Sequence, residues 1–136
     1  MKLAKVKEYM TACEVTFDKD MNIALAVERM LATHQSGGPV VDKQLKVIGF
    51  LSEQDCLQKM IESSYTGESE DTVECIMQTD TLVLTVENSI MGLAEQMTMP
   101  KPKVYAVVDE NEKLIGIISR REVLTALDEY FHSAQD

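Results

Sequence analysis

Two adjoining phrases decide the fold of this chain. They are Ser36–Asp42, which reads SGGPVVD, and Val47–Asp55, which reads VIGFLSEQD. Each phrase contains a short apolar run, and polar turn-forming residues separate the two runs, so together they predict a β-hairpin. Ser52 is followed by a segment with a helical period, so we expect the hairpin to lead directly into a helix.

The same order of patterns occurs twice. Gly49 matches Gly116 at an offset of 116 − 49 = 67, and no gap is needed at this offset anywhere between Val6 and Met60. The run Val40–Asp42 recurs as Val107–Asp109. The chain therefore holds two copies of one unit, which is too few for a solenoid of about three or more stacked repeats.

The apolar pattern of each copy predicts five elements in the order β-α-β-β-α. A short strand, Glu14–Phe17 or Leu82–Val86, comes before an amphipathic helix, and Asp20 and Asn88 are the expected helix caps. The apolar positions of these helices recur at helical spacing from residue 23 to 31 and from residue 90 to 97. The hairpin and a last helix follow. The predicted inward positions of the last helices are Cys56, Leu57, Met60 and Ile61 in the first copy and Val123, Leu124 and Leu127 in the second.

The predicted fold class is α/β (α+β), built from two β-α-β-β-α copies. The first copy covers residues 1–61 and the second covers residues 73–136. The stretch between them, residues 62–72, contains serine, glycine and four acidic residues without an apolar period. This composition is typical of a linker.

Composition excludes several classes of function. The formal net charge is −10, which repels nucleic acids and anionic membranes, so neither is an expected partner. The three cysteines, Cys13, Cys56 and Cys75, are odd in number and far apart in sequence, which argues against a disulfide framework or a zinc site and favours the cytoplasm. We expect no membrane span, no metal and no catalytic constellation, and therefore no enzyme.

The phrases quoted above closely resemble the CBS (cystathionine-β-synthase-type) domain family. The second copy resembles it through Ala106–Asp109 and Leu114–Glu122. The two matches extend from about Val6 to Leu127. The resemblance implies a tandem pair whose sheets pack with pseudo-two-fold symmetry, with clefts between them for AMP, ADP, ATP or S-adenosylmethionine.

The resemblance also implies the site residues. In the family an acidic residue three positions after the helix-opening serine holds the ribose, a basic residue before it often contacts phosphate, and a Gly-x-Pro stretch leaves room for adenine. The predicted ligand-binding residues are Gly38, Pro39, Ser52 and Asp55 in the first copy and Tyr105, Ala106, Ser119, Arg121 and Glu122 in the second. Lys101 and Lys103 are candidates for additional charge at the rim near Tyr105.

Alternative interpretations exist for these residues. Ser52 with Asp55, and Ser119 with Glu122, also match a capping box, in which serine and acid satisfy backbone amides at a helix start. Tyr105 can stack on a base or simply fill the pocket. The site departs from the family pattern once in each copy, because Gln54 stands where a cation is expected and Glu122 where an aspartate is expected.

These observations lead to one functional hypothesis and one alternative. The hypothesis is a regulatory module that senses an adenosine-containing ligand and acts through a partner. The alternative is an interaction scaffold that binds no ligand. Tyr130 and Phe131 extend the apolar stripe of the last helix, whereas the first copy has Ser63 and Ser64, so we also expect a homodimer contact there.

Overall fold

The computed structural model of the chain describes residues 4–67, 71–80, 83–98 and 104–134. These residues form a mixture of helices and strands, as the fold class predicted. In chain order the elements are α1 (Val6–Tyr9), α2 (Ile23–Leu31), β1 (Gly37–Val41), β2 (Val47–Ser52), α3 (Glu53–Thr66), α4 (Val73–Ile76), β3 (Val83–Leu84), α5 (Ile90–Met97), β4 (Val104–Val108), β5 (Leu114–Ser119) and α6 (Arg120–Ala134).

The chain divides by internal contacts into two compact units. The first unit is Cys13–Thr81, and the second unit combines Met1–Ala12 with Leu82–Asp136. Each unit therefore joins the hairpin and last helix of one sequence copy to the opening segment of the other copy. The opening segments are residues 1–12 of the first copy and residues 73–81 of the second.

The hydrogen bonds between each opening segment and its hairpin follow the same residue offset as the sequence repeat. In the first unit Gln78 N donates to Phe50 O at 2.9 Å, and Phe50 N donates to Gln78 O at 2.8 Å. In the second unit Thr11 and Ile117 exchange the same two bonds, both at 2.9 Å. Because 78 − 11 = 67 and 117 − 50 = 67, the register of the sequence is also the register of the structure.

Both predicted hairpins form. In the first unit β1 pairs with β2 antiparallel, from Gly37 opposite Ser52 to Val41 opposite Val47. In the second unit β4 pairs with β5 antiparallel in the equivalent register, and β3 lies parallel to β4. The strand predicted over residues 82–86 is described as Val83–Leu84 alone, and Leu82 lies outside the described residues.

The strand predicted over Glu14–Phe17 is wrong. Only Phe17 pairs, in a single parallel bridge with Val40. The Glu14 amide donates instead to Oε1 of Gln35 at 2.6 Å, so a side chain takes the donor that a strand would give to its neighbour.

The predicted caps of α2 and α5 are also wrong, by two residues and one residue. Asn22 caps α2 by accepting a hydrogen bond from Ala24 N at 2.8 Å. Ser89 caps α5, while Oδ1 of Asn88 accepts from Thr85 N in the preceding turn. Several capping residue types stand close together before each helix, and the chain turn decides which of them is used.

The predicted linker begins as helix. α3 continues to Thr66 and ends at Gly67, whose φ of 77° gives a left-handed cap and whose amide donates to Ser63 O. Glycine adopts this conformation without the steric cost of a Cβ, so the helix stops there and not at residue 61.

The apolar cores belong to the separate units, and part of the predicted inward face of the last helices is exposed. Cys56 and Val123 are buried as expected, and Leu127 packs partly buried against the core. The prediction fails at the remaining positions, whose side chains are exposed. These exposed residues are Leu57, Met60 and Ile61 on α3 and Leu124 on α6.

Within the described ranges, no helix has the length and apolar character that crossing a membrane requires.

Candidate functional site

The start of α3 holds the predicted ribose-binding acid of the first unit. Ser52 ends β2 and caps α3, with its Oγ accepting from Asp55 N at 3.1 Å. Asp55 Oδ2 accepts from Ser52 N at 3.2 Å and from Ser52 Oγ at 2.7 Å. The capping box is therefore formed, and it uses only one oxygen of the carboxylate.

Gln78 adds a contact that the sequence did not reveal. Its Nε2 donates to Asp55 Oδ2 at 3.2 Å and lies 3.5 Å from Asp55 Oδ1. Gln78 follows α4, which belongs to the second sequence copy but packs in the first unit. No local pattern around Asp55 points to a residue 23 positions away, and only the exchange of opening segments brings it there.

The start of α6 in the second unit has similar geometry with a longer acid. Oε1 of Glu122 accepts from Ser119 N at 2.9 Å and from Ser119 Oγ at 2.8 Å. The opening-segment residue equivalent to Gln78 is Thr11. Among the described residues it makes no side-chain hydrogen bond to Glu122.

The two helix starts differ in charge. Arg120 and Arg121 are exposed in the first turn of α6, and within the described residues neither forms an ion pair. The equivalent positions on α3 hold Glu53 and Gln54. Because amide groups at a helix start already favour anions, the arginine pair makes the second start the better place for a negatively charged ligand.

The strand residues of the predicted sites are buried. A Cβ on Gly38 would stand 2.6 Å from Val15 O, so glycine is required by the close approach of that backbone. Pro39 and Ala106 are buried as well. The partly exposed polar residues at the helix starts are thus the accessible portion of the predicted sites.

Tyr105, at the position equivalent to Gly38, is 2% exposed and belongs to the core of the second unit. Its hydroxyl is buried and has no hydrogen-bond partner among the described residues. Burial raises the pKa of Tyr105, and the positive charge of Arg120 partly offsets this. This environment agrees with the interpretation that the side chain fills space.

A cavity of about 300 Å³ adjoins Asp55 in the first unit. Its lining residues are Asp55, Gln58, Lys59, Glu62, Cys75 and Ile76. The Nζ of Lys59 lies 2.7 Å from Asp71 Oδ2 and 3.6 Å from Glu62 Oε2, and the pKa of Lys59 is raised chiefly by its hydrogen bond to Asp71. The cation of this cavity is therefore already neutralised by two acids.

The remaining candidate groups are the metal-ligating residue types, the cysteines and two lysines. The described residues contain no cluster of three or more His, Cys, Asp or Glu side chains placed to hold a metal. All three cysteines are free, and burial, followed by the charges of Asp55 and Glu53, raises the pKa of Cys56 to about 11. Lys101 and Lys103 lie outside the described residues.

A duplicated unit, in which an amphipathic helix is followed by an antiparallel hairpin and a capped helix start, defines a tandem-repeat α+β protein. The family model described as CBS domain matches the chain twice, over residues 6–62 and 73–129. The chain belongs to the CBS domain family.

Relatives extend this assignment. The protein MJ0188 of Methanocaldococcus jannaschii is 32% identical over 122 residues, which is 88% of this chain and 43% of that protein. This chain spans less than half the length of the first curated relatives that it matches.

Solved structures show the same fold. CBSX2 in complex with AMP is 22% identical, with a TM-score of 0.78 over 93% of this chain and 98% of that one. The CBS domain pair of MJ0100, in complex with 5′-methylthioadenosine and S-adenosyl-L-methionine, is 17% identical, with a TM-score of 0.82 over 95% and 99%. At these identities the likeness concerns the fold.

Proposed function

We propose that this chain is a regulatory module that binds an adenosine-containing ligand, of the class of AMP, ADP, ATP or S-adenosylmethionine, and that it is not an enzyme. The observation that carries the proposal is the Asp55 carboxylate at the start of α3. One of its oxygens is held by Ser52, and the other keeps capacity to accept hydrogen bonds. A fixed carboxylate oxygen is suited to accept a hydrogen bond from a ribose hydroxyl.

The similar structures support the ligand class. CBSX2 was solved with AMP, and MJ0100 with methylthioadenosine and S-adenosylmethionine. These compounds share adenosine and differ in the charge of the 5′ substituent.

The two helix starts should therefore prefer different adenosine compounds. Near Asp55 the cavity is acidic and its Lys59 is engaged, which disfavours a phosphate and suits a neutral or cationic substituent. At α6 the free Arg121 favours a phosphate. The proposal thus assigns the nucleoside-type ligand to the first unit and the phosphorylated ligand to the second.

An interaction scaffold without ligand is the second candidate. This candidate is favoured by the burial of Tyr105, which fills space in the core of the second unit. It is also favoured by the use of Asp55 and Glu122 in helix caps.

Isothermal titration of site variants tests the assignment. Asp55→Ala should weaken adenosine binding by about 1.5 to 3 kcal/mol, the usual contribution of a hydrogen bond to a charged group. Asp55→Asn is the control, because it keeps an oxygen for the helix cap while it removes the charge. If Asp55→Ala binds every adenosine compound as tightly as the parent and keeps its fold, Asp55 is a helix cap only.

The same titration tests the second unit. Arg121→Ala should weaken AMP binding, and the loss should be larger at low salt than at high salt, because screening reduces charge attraction. Gln54→Ala, at the equivalent position of the first copy, should leave AMP binding unchanged.

We further propose a cytoplasmic homodimer. The three free cysteines fit a reducing compartment. Phe131 is 60% exposed near the end of α6, and large exposed apolar side chains on one helix are typical of a subunit contact.

A further inference from the structure

Gln78 is fixed in place by its backbone. It exchanges two hydrogen bonds with Phe50 in β2, and this pairing requires a glycine beside it. A Cβ on Gly49 would stand 2.9 Å from Gln78 O and 2.7 Å from Met77 Sδ. The side chain of Gln78 therefore begins from a defined point next to the start of α3.

The amide of Gln78 faces the Asp55 carboxylate in one orientation only. Its Nε2 lies 3.2 Å from Oδ2 and 3.5 Å from Oδ1. The flipped amide would place Oε1 against the carboxylate, which repels it, so Nε2 is the atom that points at Asp55. Oε1 of Gln78 has no hydrogen-bond partner among the described residues.

The two oxygens of the Asp55 carboxylate therefore differ in their hydrogen bonds. Among the described residues, Oδ2 of Asp55 accepts from Ser52 N, Ser52 Oγ and Gln78 Nε2, whereas Oδ1 receives only the long contact from Gln78. Two acceptors, Asp55 Oδ1 and Gln78 Oε1, are thereby left free on neighbouring side chains. A pair of adjacent acceptors is what two neighbouring hydroxyl donors require.

We infer that Gln78 is a positioning and specificity residue for a ligand with a vicinal diol: it orients Asp55 and accepts one of the two hydroxyl hydrogen bonds. This inference rests on the proposed function. It adds a residue from the other sequence copy to the site, and it gives the first unit a selectivity for ribose over deoxyribose.

The second unit supplies the matched control. Thr11 occupies the equivalent position with the same backbone pair to Ile117, and in the described structure its side chain makes no hydrogen bond to Glu122. Thr11→Val should therefore leave the diol preference of the first unit unchanged.

The test is calorimetric titration of adenosine, 2′-deoxyadenosine and 3′-deoxyadenosine against the parent, Gln78→Leu, Gln78→Glu and Thr11→Val. The parent should prefer adenosine over both deoxy compounds: by about tenfold or more where the missing hydroxyl donates to the charged Asp55, and by about fivefold where it donates to the neutral amide of Gln78. Gln78→Leu should lose the second preference, keep the first, and lose about fivefold in adenosine affinity. Gln78→Glu should lose at least as much, because a second carboxylate repels Asp55. Gln78 is exposed, so its substitution should leave the fold intact, and thermal denaturation of each variant checks this.

The outcomes separate the inference from the proposed function. If Gln78→Leu retains both the affinity and the diol preference while Asp55→Ala loses them, the role of Gln78 is overturned and the proposed function stands. If the parent binds AMP or S-adenosylmethionine but shows no preference for a ribose over a deoxyribose, the role of Gln78 alone is overturned. If it binds no adenosine compound at all, both are overturned.

Discussion

Gly38 and Tyr105 occupy equivalent positions, but the side chain that fills the core there comes from a different strand in each unit. In the first unit a Cβ on Gly38 would lie 3.1 Å from the ring of Phe17, which is 1% exposed. In the second unit the equivalent of Phe17 is the smaller Leu84, since 84 − 17 = 67, and the ring comes from Tyr105. Each core thus receives one aromatic ring at this place, from a different strand.

Tyr105→Phe should stabilise the protein. The buried hydroxyl has no partner among the described residues, and its removal relieves a desolvation cost of about 1 kcal/mol. Urea denaturation should show a higher free energy of unfolding, while Tyr65→Phe, at an 86% exposed position, should change nothing. A loss of about 1 kcal/mol in Tyr105→Phe would mean that the hydroxyl has a hydrogen-bond partner.

For single residues, the sequence predicts contacts between neighbours along the chain. The spacing of Ser52 and Asp55 gave two interpretations, a helix cap or a ribose contact, and the observed capping box leaves one oxygen for the second role. Gln78 could not be predicted, because its contact depends on which unit receives the segment after α4. The burial of Tyr105 likewise depends on tertiary packing, which spacing does not encode.

The exchanged opening segments are the elements that hold each unit together at the sheet. Gly49 in β2 and Gly116 in β5 stand where a side chain would block a close backbone approach: a Cβ on Gly116 would stand 2.7 Å from Thr11 O. Both glycines lie inside their strands and not at the strand ends.

Gly49→Ala should destabilise the protein by about 1 to 3 kcal/mol, because the new methyl group forces the paired backbone apart. Gly92→Ala is the control on α5, where a Cβ meets nothing closer than 3.9 Å. There alanine should add about 0.5 to 1 kcal/mol by lowering the entropy of the unfolded chain. Equal stabilities of the two variants in urea denaturation would contradict the close packing at Gly49.

Periodicity predicted most elements of the fold, and their boundaries depended on other forces. The hairpins and the amphipathic helices α2 and α5 follow from apolar spacing alone. The segment Glu14–Phe17 has the composition of a strand but loses an amide to Gln35. The end of α3 is set by the left-handed Gly67, which a composition-based linker assignment overlooks.

The last helices expose large apolar side chains, and these residues support the homodimer that we propose. Phe131 packs edge to face on Tyr130 with ring centroids 5.6 Å apart, and α3 separately exposes Leu57, Met60 and Ile61. These side chains favour burial against a second copy over exposure to water.

We expect a dimer by light scattering at micromolar concentration. Tyr130→Ser combined with Phe131→Ser, which copies Ser63 and Ser64 of the first copy, should shift the protein to monomer. Leu31→Ser, at a 75% exposed apolar position on α2, should leave the dimer intact. A parent that is monomeric would contradict the homodimer, and a dimer that persists in the double variant would move the contact to another face.

Thermal denaturation with AMP, ADP, ATP, S-adenosylmethionine and NAD, each in excess, shows whether this member of the CBS domain family senses an adenosine compound. A ligand that binds only the folded state stabilises it by about 2.7 kcal/mol at a hundred times its dissociation constant. For a chain of this size that raises the midpoint by several degrees, and we predict such a rise for at least one adenosine compound. If none of them moves the midpoint at millimolar concentration, the chain is an interaction scaffold and the account of its function is wrong.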